Sequence, residues 1–267
     1  MSAPAVPVWA EAGSARAGQA ALVFLHGIGG GKQGFADQLD FFAAQGYRAL
    51  AWDMPGYGDS ALIAPYDFDG LAQALWRMLD QAQVARAVLI GHSMGGMVAQ
   101  QAWTQHPERI AALVIAASSP AFGNASGDFQ SQFVAQRLAP LEAGQTMADV
   151  ARAVIPGMLA PGYQGAGRDL AQRCMAAVPP ASYRAAIQAL VRFEQRAALP
   201  TICVPTLCLA AEHDQTAPPE VLRRMAEKIP GAQFVVLPAA GHLLCFEQPE
   251  AFNHAIHSFL SQALPPH

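Results

Sequence analysis

The sequence predicts an α/β protein: a mostly parallel central sheet with helices on both faces and an inserted helical segment. Short apolar runs at residues 21–25, 49–52, 87–90, 112–116, 205–210 and 233–237 alternate with helix-like stretches at 35–45, 68–83, 97–106, 219–229 and 249–262. Parallel strands need long crossovers, and helices supply them. The runs are continuously apolar instead of alternating with polar residues, so both faces of the sheet are expected to be covered. The rhythm breaks between residues 120 and 200, where helical periodicity continues without a convincing strand.

Taken in order, only Pro7 to Ala10 precede the first strong run as strand-like material, which leaves the early edge strands in doubt. Runs 21–25 and 49–52 enclose a Gly-rich loop and the helix-like stretch 35–45. Run 87–90 leads through Gly91 to Gly96 into 97–106, and 112–116 leads into the interruption. Stretches 128–137, 147–154, 168–176 and 181–196 are expected to form a helical cap over the strand ends. Connectors rich in small and breaking residues (Gly123, Gly127, Pro156, Gly157, Pro161, Gly162, Gly165, Gly167) separate them. The expected organisation is therefore one core, residues 1–119 and 201–267, with a cap at 120–200 inserted into it.

Composition narrows the function classes. The 267 residues are 52% hydrophobic and 13% charged with a net charge of -4. No basic patch marks a nucleic-acid partner, and Lys32 and Lys228 are the only lysines. Residues 1–20 lack the charged and apolar regions of a signal peptide, and no apolar run approaches the roughly 18 residues of a spanning helix. Cys174, Cys203, Cys208 and Cys245 lack metal-ligand spacing. The expectation is a cytoplasmic protein with reduced thiols, without a membrane partner, metal or cofactor, and of open oligomeric state.

The chemistry is carried by Gly91-His92-Ser93-Met94-Gly95-Gly96, which lies between a strand and a helix. A G-x-S-x-G turn at that place strains the serine backbone and exposes its hydroxyl, while side chains at Gly91 and Gly95 would collide with the neighbouring strand and helix. The Met94 N–H lies at the new helix N-terminus, where unpaired amides favour a developing negative charge. A serine hydroxyl needs a base, and the base needs an orienting carboxylate. Asp214 follows run 205–210 and His242 follows run 233–237, so all three sit past the carboxyl ends of strands, where open α/β sheets bind ligands. Glu212 and His213 are the rival acid and base. His92 is expected to point away along its strand. The second oxyanion donor is expected from His26-Gly27-Ile28-Gly29-Gly30-Gly31, with the N–H of Ile28 assigned and His26 ordering the loop.

These segments, together with Asp53-Met54-Pro55-Gly56-Tyr57-Gly58-Asp59-Ser60, Asp214 to Pro218 and Gly241-His242, resemble the α/β-hydrolase superfamily over essentially the whole chain. The likeness is nearest to capped bacterial hydrolases of the 3-oxoadipate enol-lactonase and carboxylesterase kind, and it is carried by Gly91 to Gly96 and by the stretch Gly241-His242 to Glu247-Gln248-Pro249-Glu250. It implies a serine hydrolase that cleaves a small-molecule ester or lactone through Ser93, His242 and Asp214. C–C bond hydrolysis of vinylogous diketones and perhydrolysis use the same triad. An acidic substrate would need a cation, for which Lys32, Arg137, Arg152 and Arg173 are available, and Phe122 and Phe133 suit an apolar pocket. Asp53 is expected to be structural. Two readings of other classes stand beside this one. Gly29-x-Gly31-x-x-Gly34 with Asp53 has the skeleton of an NAD fingerprint, although His26-Gly27-Ile28 lengthens its turn. A non-catalytic binding protein of the same fold is the other.

Overall fold

The computed structural model describes residues 5–14, 18–123 and 128–264. Gly127, one of the expected connectors, lies outside them. The strands are β1 (Trp9–Ala12), β2 (Ala21–Leu25), β3 (Ala49–Trp52), β4 (Ala87–His92), β5 (Ile110–Ala116), β6 (Thr206–Ala211) and β7 (Gln233–Leu237). They form one sheet in the order β1-β3-β2-β4-β5-β6-β7, antiparallel only where β1 pairs with β3. The short N-terminal portion thus supplies an edge strand at Trp9–Ala12, slightly later than Pro7 to Ala10.

The continuous apolar runs are explained by burial on both faces. Ala21, Val23 and Leu25 of β2 face one core with Leu71, Leu75 and Val98, whereas Leu22 and Phe24 face another with Phe42, Phe252 and Ile256. Helices α1 (Ala36–Ala44), α2 (Phe68–Gln81) and α3 (Met94–Gln105) follow β2, β3 and β4. The chain passes from β2 to β3 on one side and then to β4 on the other. This reversal opens a crevice at the carboxyl ends of β2 and β4, between residues 26–31 and the turn at Ser93.

Between β5 and β6 the chain forms α4 (Phe129–Glu142), α5 (Met147–Val154), α6 (Gly167–Ala176) and α7 (Pro180–Leu190). The expected helix 181–196 stops early because Phe193 turns in to pack on Phe68, ring centroids 4.4 Å apart. Its carbonyl accepts from Phe122 N–H at 3.1 Å, and Gln195 N–H donates to Pro120 at 2.7 Å, which ties the two ends of the insertion together. The expected 128–137 helix instead runs on to Glu142, with Pro140 in its last turn. The chain ends in α8 (Pro219–Lys228), a four-residue helix α9 (Leu244–Glu247) that periodicity did not reveal, and α10 (Pro249–Ala263). Among the described residues, no helix is long and apolar enough to cross a membrane.

Candidate active site

Ser93 caps α3 with φ 53° and ψ -120°, a positive φ rarely taken by a residue with a side chain. Surrounding bonds impose it: Ser93 N–H donates to Ala116 O at 2.9 Å, and the Ser118 hydroxyl donates to Ser93 O at 2.7 Å. A Cβ on Gly95 would overlap the Leu25 carbonyl at the end of β2, and one on Gly91 would overlap Gly95 and Gly96. The turn is therefore closed to larger residues, and α3 starts at Met94, three residues before the expected 97.

The candidate base and acid, His242 and Asp214, lie past two other strand ends. The Ser93 Oγ lies 2.9 Å from His242 Nε2, and His242 Nδ1 lies 2.8 Å from Asp214 Oδ2. The other oxygen, Asp214 Oδ1, accepts the N–H groups of Thr216 at 2.8 Å and Ala217 at 2.9 Å. Those bonds fix the carboxylate plane and leave Oδ2 for the imidazole. Asp214 and His242 are each only 3% exposed, so their pairing is sheltered from competing water. The rivals sit elsewhere: Glu212 is exposed and accepts from Ala239 N–H at 2.9 Å, and the exposed His213 faces Glu212 at 3.7 Å.

The loop after β2 closes over the serine. Burial holds the His26 imidazole at a pKa of about 4, hence neutral. Its Nδ1–H donates to Gly27 O at 2.7 Å, and its Nε2 accepts from Met54 N–H at 3.0 Å. Gly30 N–H also donates to Gly27 O, at 3.0 Å. A Cβ on Gly27 would lie 2.9 Å from the Ser93 Cβ, so only glycine lets the two loops approach. Among the described residues, nothing accepts from the N–H of Ile28 or of Met94.

Three expectations are corrected here. His92 does not point away: its Nε2–H donates to the His242 carbonyl at 2.7 Å, and burial holds it neutral with a pKa of about 3. Lys32 does not face the cavity, because its ammonium pairs with Asp53 and its own N–H donates to the same carboxylate at 2.9 Å. That carboxylate is fully buried, so Asp53 is structural, and it is not free for the ribose that the NAD reading requires. Arg152 pairs with Asp149 at the surface.

The serine opens into a cavity of about 320 Å³ walled mostly by apolar side chains, among them Phe122, Phe133, Met158, Met175 and Phe246. Phe122 and Phe133 lie 4.7 Å apart between centroids. Arg137 also lines the cavity, its guanidinium 5.2 Å from the Phe133 ring, and among the described residues no carboxylate pairs with it. Arg173 is not in the wall. Sequence reasoning gives no role to Glu247, a buried carboxylate close to His242 in the chain, although it lies in the stretch Gly241 to Glu250 that carries part of the family likeness.

The family model described as alpha/beta hydrolase fold matches residues 20–249. The chain belongs to the alpha/beta hydrolase fold family. This α/β hydrolase is 30% identical to a Variovorax paradoxus protein provisionally named carbamate hydrolase RutD, over 92% of this chain and 93% of the relative. It is 26% identical to 3-oxoadipate enol-lactonase 2 of Acinetobacter baylyi, over 92% and 91% of the two chains. The enol-lactonase from Burkholderia xenovorans superposes with a TM-score of 0.85 at 24% identity, covering 96% of each chain. Its fold is thus that of the enol-lactonase structure.

Proposed function

We propose that this α/β hydrolase cleaves a carboxylic ester or lactone through an acyl-enzyme on Ser93. The observation that carries the proposal is the unbroken relay from Ser93 Oγ through His242 to Asp214. Ser93 attacks the carbonyl while His242 Nε2 takes its proton, and Asp214 holds the imidazole tautomer and stabilises the imidazolium. His242 then returns the proton to the leaving oxygen and activates water against the acyl-enzyme.

The Met94 N–H, at the start of α3, and the Ile28 N–H are the proposed oxyanion donors. Trans peptide geometry sets an N–H opposite the preceding carbonyl. Gly27 O is held by His26 and Gly30, so the Ile28 N–H is left on the other side without an acceptor. Each such donor contributes about 3 kcal/mol to transition-state stabilisation. The acyl group lies against Phe122 and Phe133, and Arg137 meets an anionic group when the substrate carries one.

Ser93→Ala tests the reading. Turnover of a p-nitrophenyl ester should fall by about 10⁴-fold or more, and fluorophosphonate labelling should disappear, with thermal unfolding unchanged. Retained turnover would overturn the proposal. A panel of enol-lactone, short and medium acyl esters and a vinylogous diketone would identify the bond cleaved, the last being the arm for C–C hydrolysis.

A further inference from the structure

A buried contact between the insertion and the core is made by a carboxylate outside the relay. Glu247 closes α9, five residues after His242, and is 5% exposed. Its Oε1 accepts from Gly241 N–H at 2.9 Å, and its Oε2 accepts from Ala160 N–H at 2.6 Å. One acceptor site faces the residue before His242, and the other faces the insertion. Burial raises the Glu247 carboxyl pKa, and the amides of Ala160, Gly241 and Leu243 pull it back down. A buried carboxylate is costly, and here both oxygens are occupied by amides.

The backbones that it joins touch directly. His242 N–H donates to Met158 O at 2.7 Å, and a Cβ on Gly241 would lie 2.6 Å from Met158 O, Leu159 C and Ala160 N. From the opposite side His92 donates to the His242 carbonyl at 2.7 Å. The His242 main chain is thereby gripped at its N–H by the insertion and at its carbonyl by the serine strand. Met158 is also part of the cavity wall. A shift of residues 158–160 would move the wall and the imidazole together.

We infer that Glu247 is a positioning residue that clips residues 158–160 to the His242 loop, so that the cavity wall and the base keep one register. This rests on the reading of His242 as the base. Loss of the clip leaves the triad residues present but lets the imidazole drift from Ser93. A misplacement of about 1 Å is enough to cost on the order of 10²-fold.

The test is Glu247→Gln, which keeps the shape but sets an NH₂ against one of the two amides, with Glu247→Asp as a charged, shorter variant. Both are assayed on p-nitrophenyl acetate, well below their unfolding temperatures, alongside His242→Ala. For E247Q we expect kcat to fall by about tenfold to hundredfold with KM within about twofold. Fluorophosphonate labelling of Ser93 should slow by the same factor, and E247D should show a smaller loss. Wild-type kcat in folded E247Q, or in folded E247D should E247Q not fold, overturns the clip. A loss explained by unfolded protein, or confined to KM, also overturns it. Substantial turnover by H242A defeats the reading of the base instead, so the two failures are distinguishable.

Discussion

The Ser93 turn and the phenylalanine wall of the insertion border the same cavity, yet they are held by opposite kinds of constraint. Ser93 sits at a positive φ between glycines whose replacement would drive a Cβ into the backbone, and polar bonds fix its neighbours. Away from the polar clamp at Met158 to Ala160, the insertion wall is set by packing, as in the Phe122, Phe133 and Phe129 rings. Such packing tolerates exchange among apolar residues of similar volume, whereas a strained turn tolerates almost none. Under the proposed function, the chemistry falls to the rigid side and selectivity to the adaptable one.

The sharpest way to break this division is to damage the rigid side with one atom. In Asp214→Asn the retained oxygen keeps the Thr216 and Ala217 amides, while the new NH₂ faces His242 Nδ1 and forces the wrong tautomer. We expect kcat to fall by about 10⁴-fold on every ester, with thermal stability nearly unchanged. Steady-state kinetics on acyl chains of different length check the uniformity. A loss that depends on chain length would mean that Asp214 shapes the cavity instead of the base.

A smaller effect of the same rigidity is expected in the pH dependence of stability. His26 and His92 are buried and neutral, with pKa values of about 4 and about 3 set chiefly by burial. An unfolded imidazole titrates near about 6.5 and so binds more protons than the folded one below that pH. Their contribution is full above about pH 6.5 and is lost as the pH falls toward the folded values, on the order of a few kcal/mol in all. Urea midpoints measured from pH 7 to pH 4 should fall, and His92→Gln should flatten the decline. An equally steep decline in the variant would remove His92 from the account.

The same division explains what was legible in the sequence. That Ser93, Asp214 and His242 come together is legible because steric and chemical demands leave few residue types at those positions and at Gly91 to Gly96. Lys32 reads as an anchor because its ammonium lies beside the proposed oxyanion loop, and only the fold reveals that Asp53, 21 residues later, takes it. His92 misled for a related reason: strand alternation predicts a direction, but β4 ends at His92, where the chain is already bending into the turn. The role of Glu247 is not legible, although the residue lies in a stretch that carries the family likeness, because one of its amide partners is Ala160, 87 positions away. The helix 181–196 was overextended because the pull of Phe68 on Phe193 is a tertiary contact that overrides local periodicity.

The adaptable side calls for a gentler probe. Arg137→Met keeps a long flexible side chain against Phe133 but removes the cation from a wall that is otherwise nearly apolar. For an ester with a carboxylate at the far end of its acyl chain, kcat/KM should fall by about fivefold, the loss of one exposed to half-buried ionic contact. For the neutral methyl-ester counterpart it should hold or rise slightly, because an unpaired guanidinium disfavours apolar chains. The kinetic difference between the two substrates is the measurement, and wild-type protein is its own control. Equal losses on both would show that Arg137 supports the wall and not the substrate, and would move it from the adaptable side of the cavity to the rigid one.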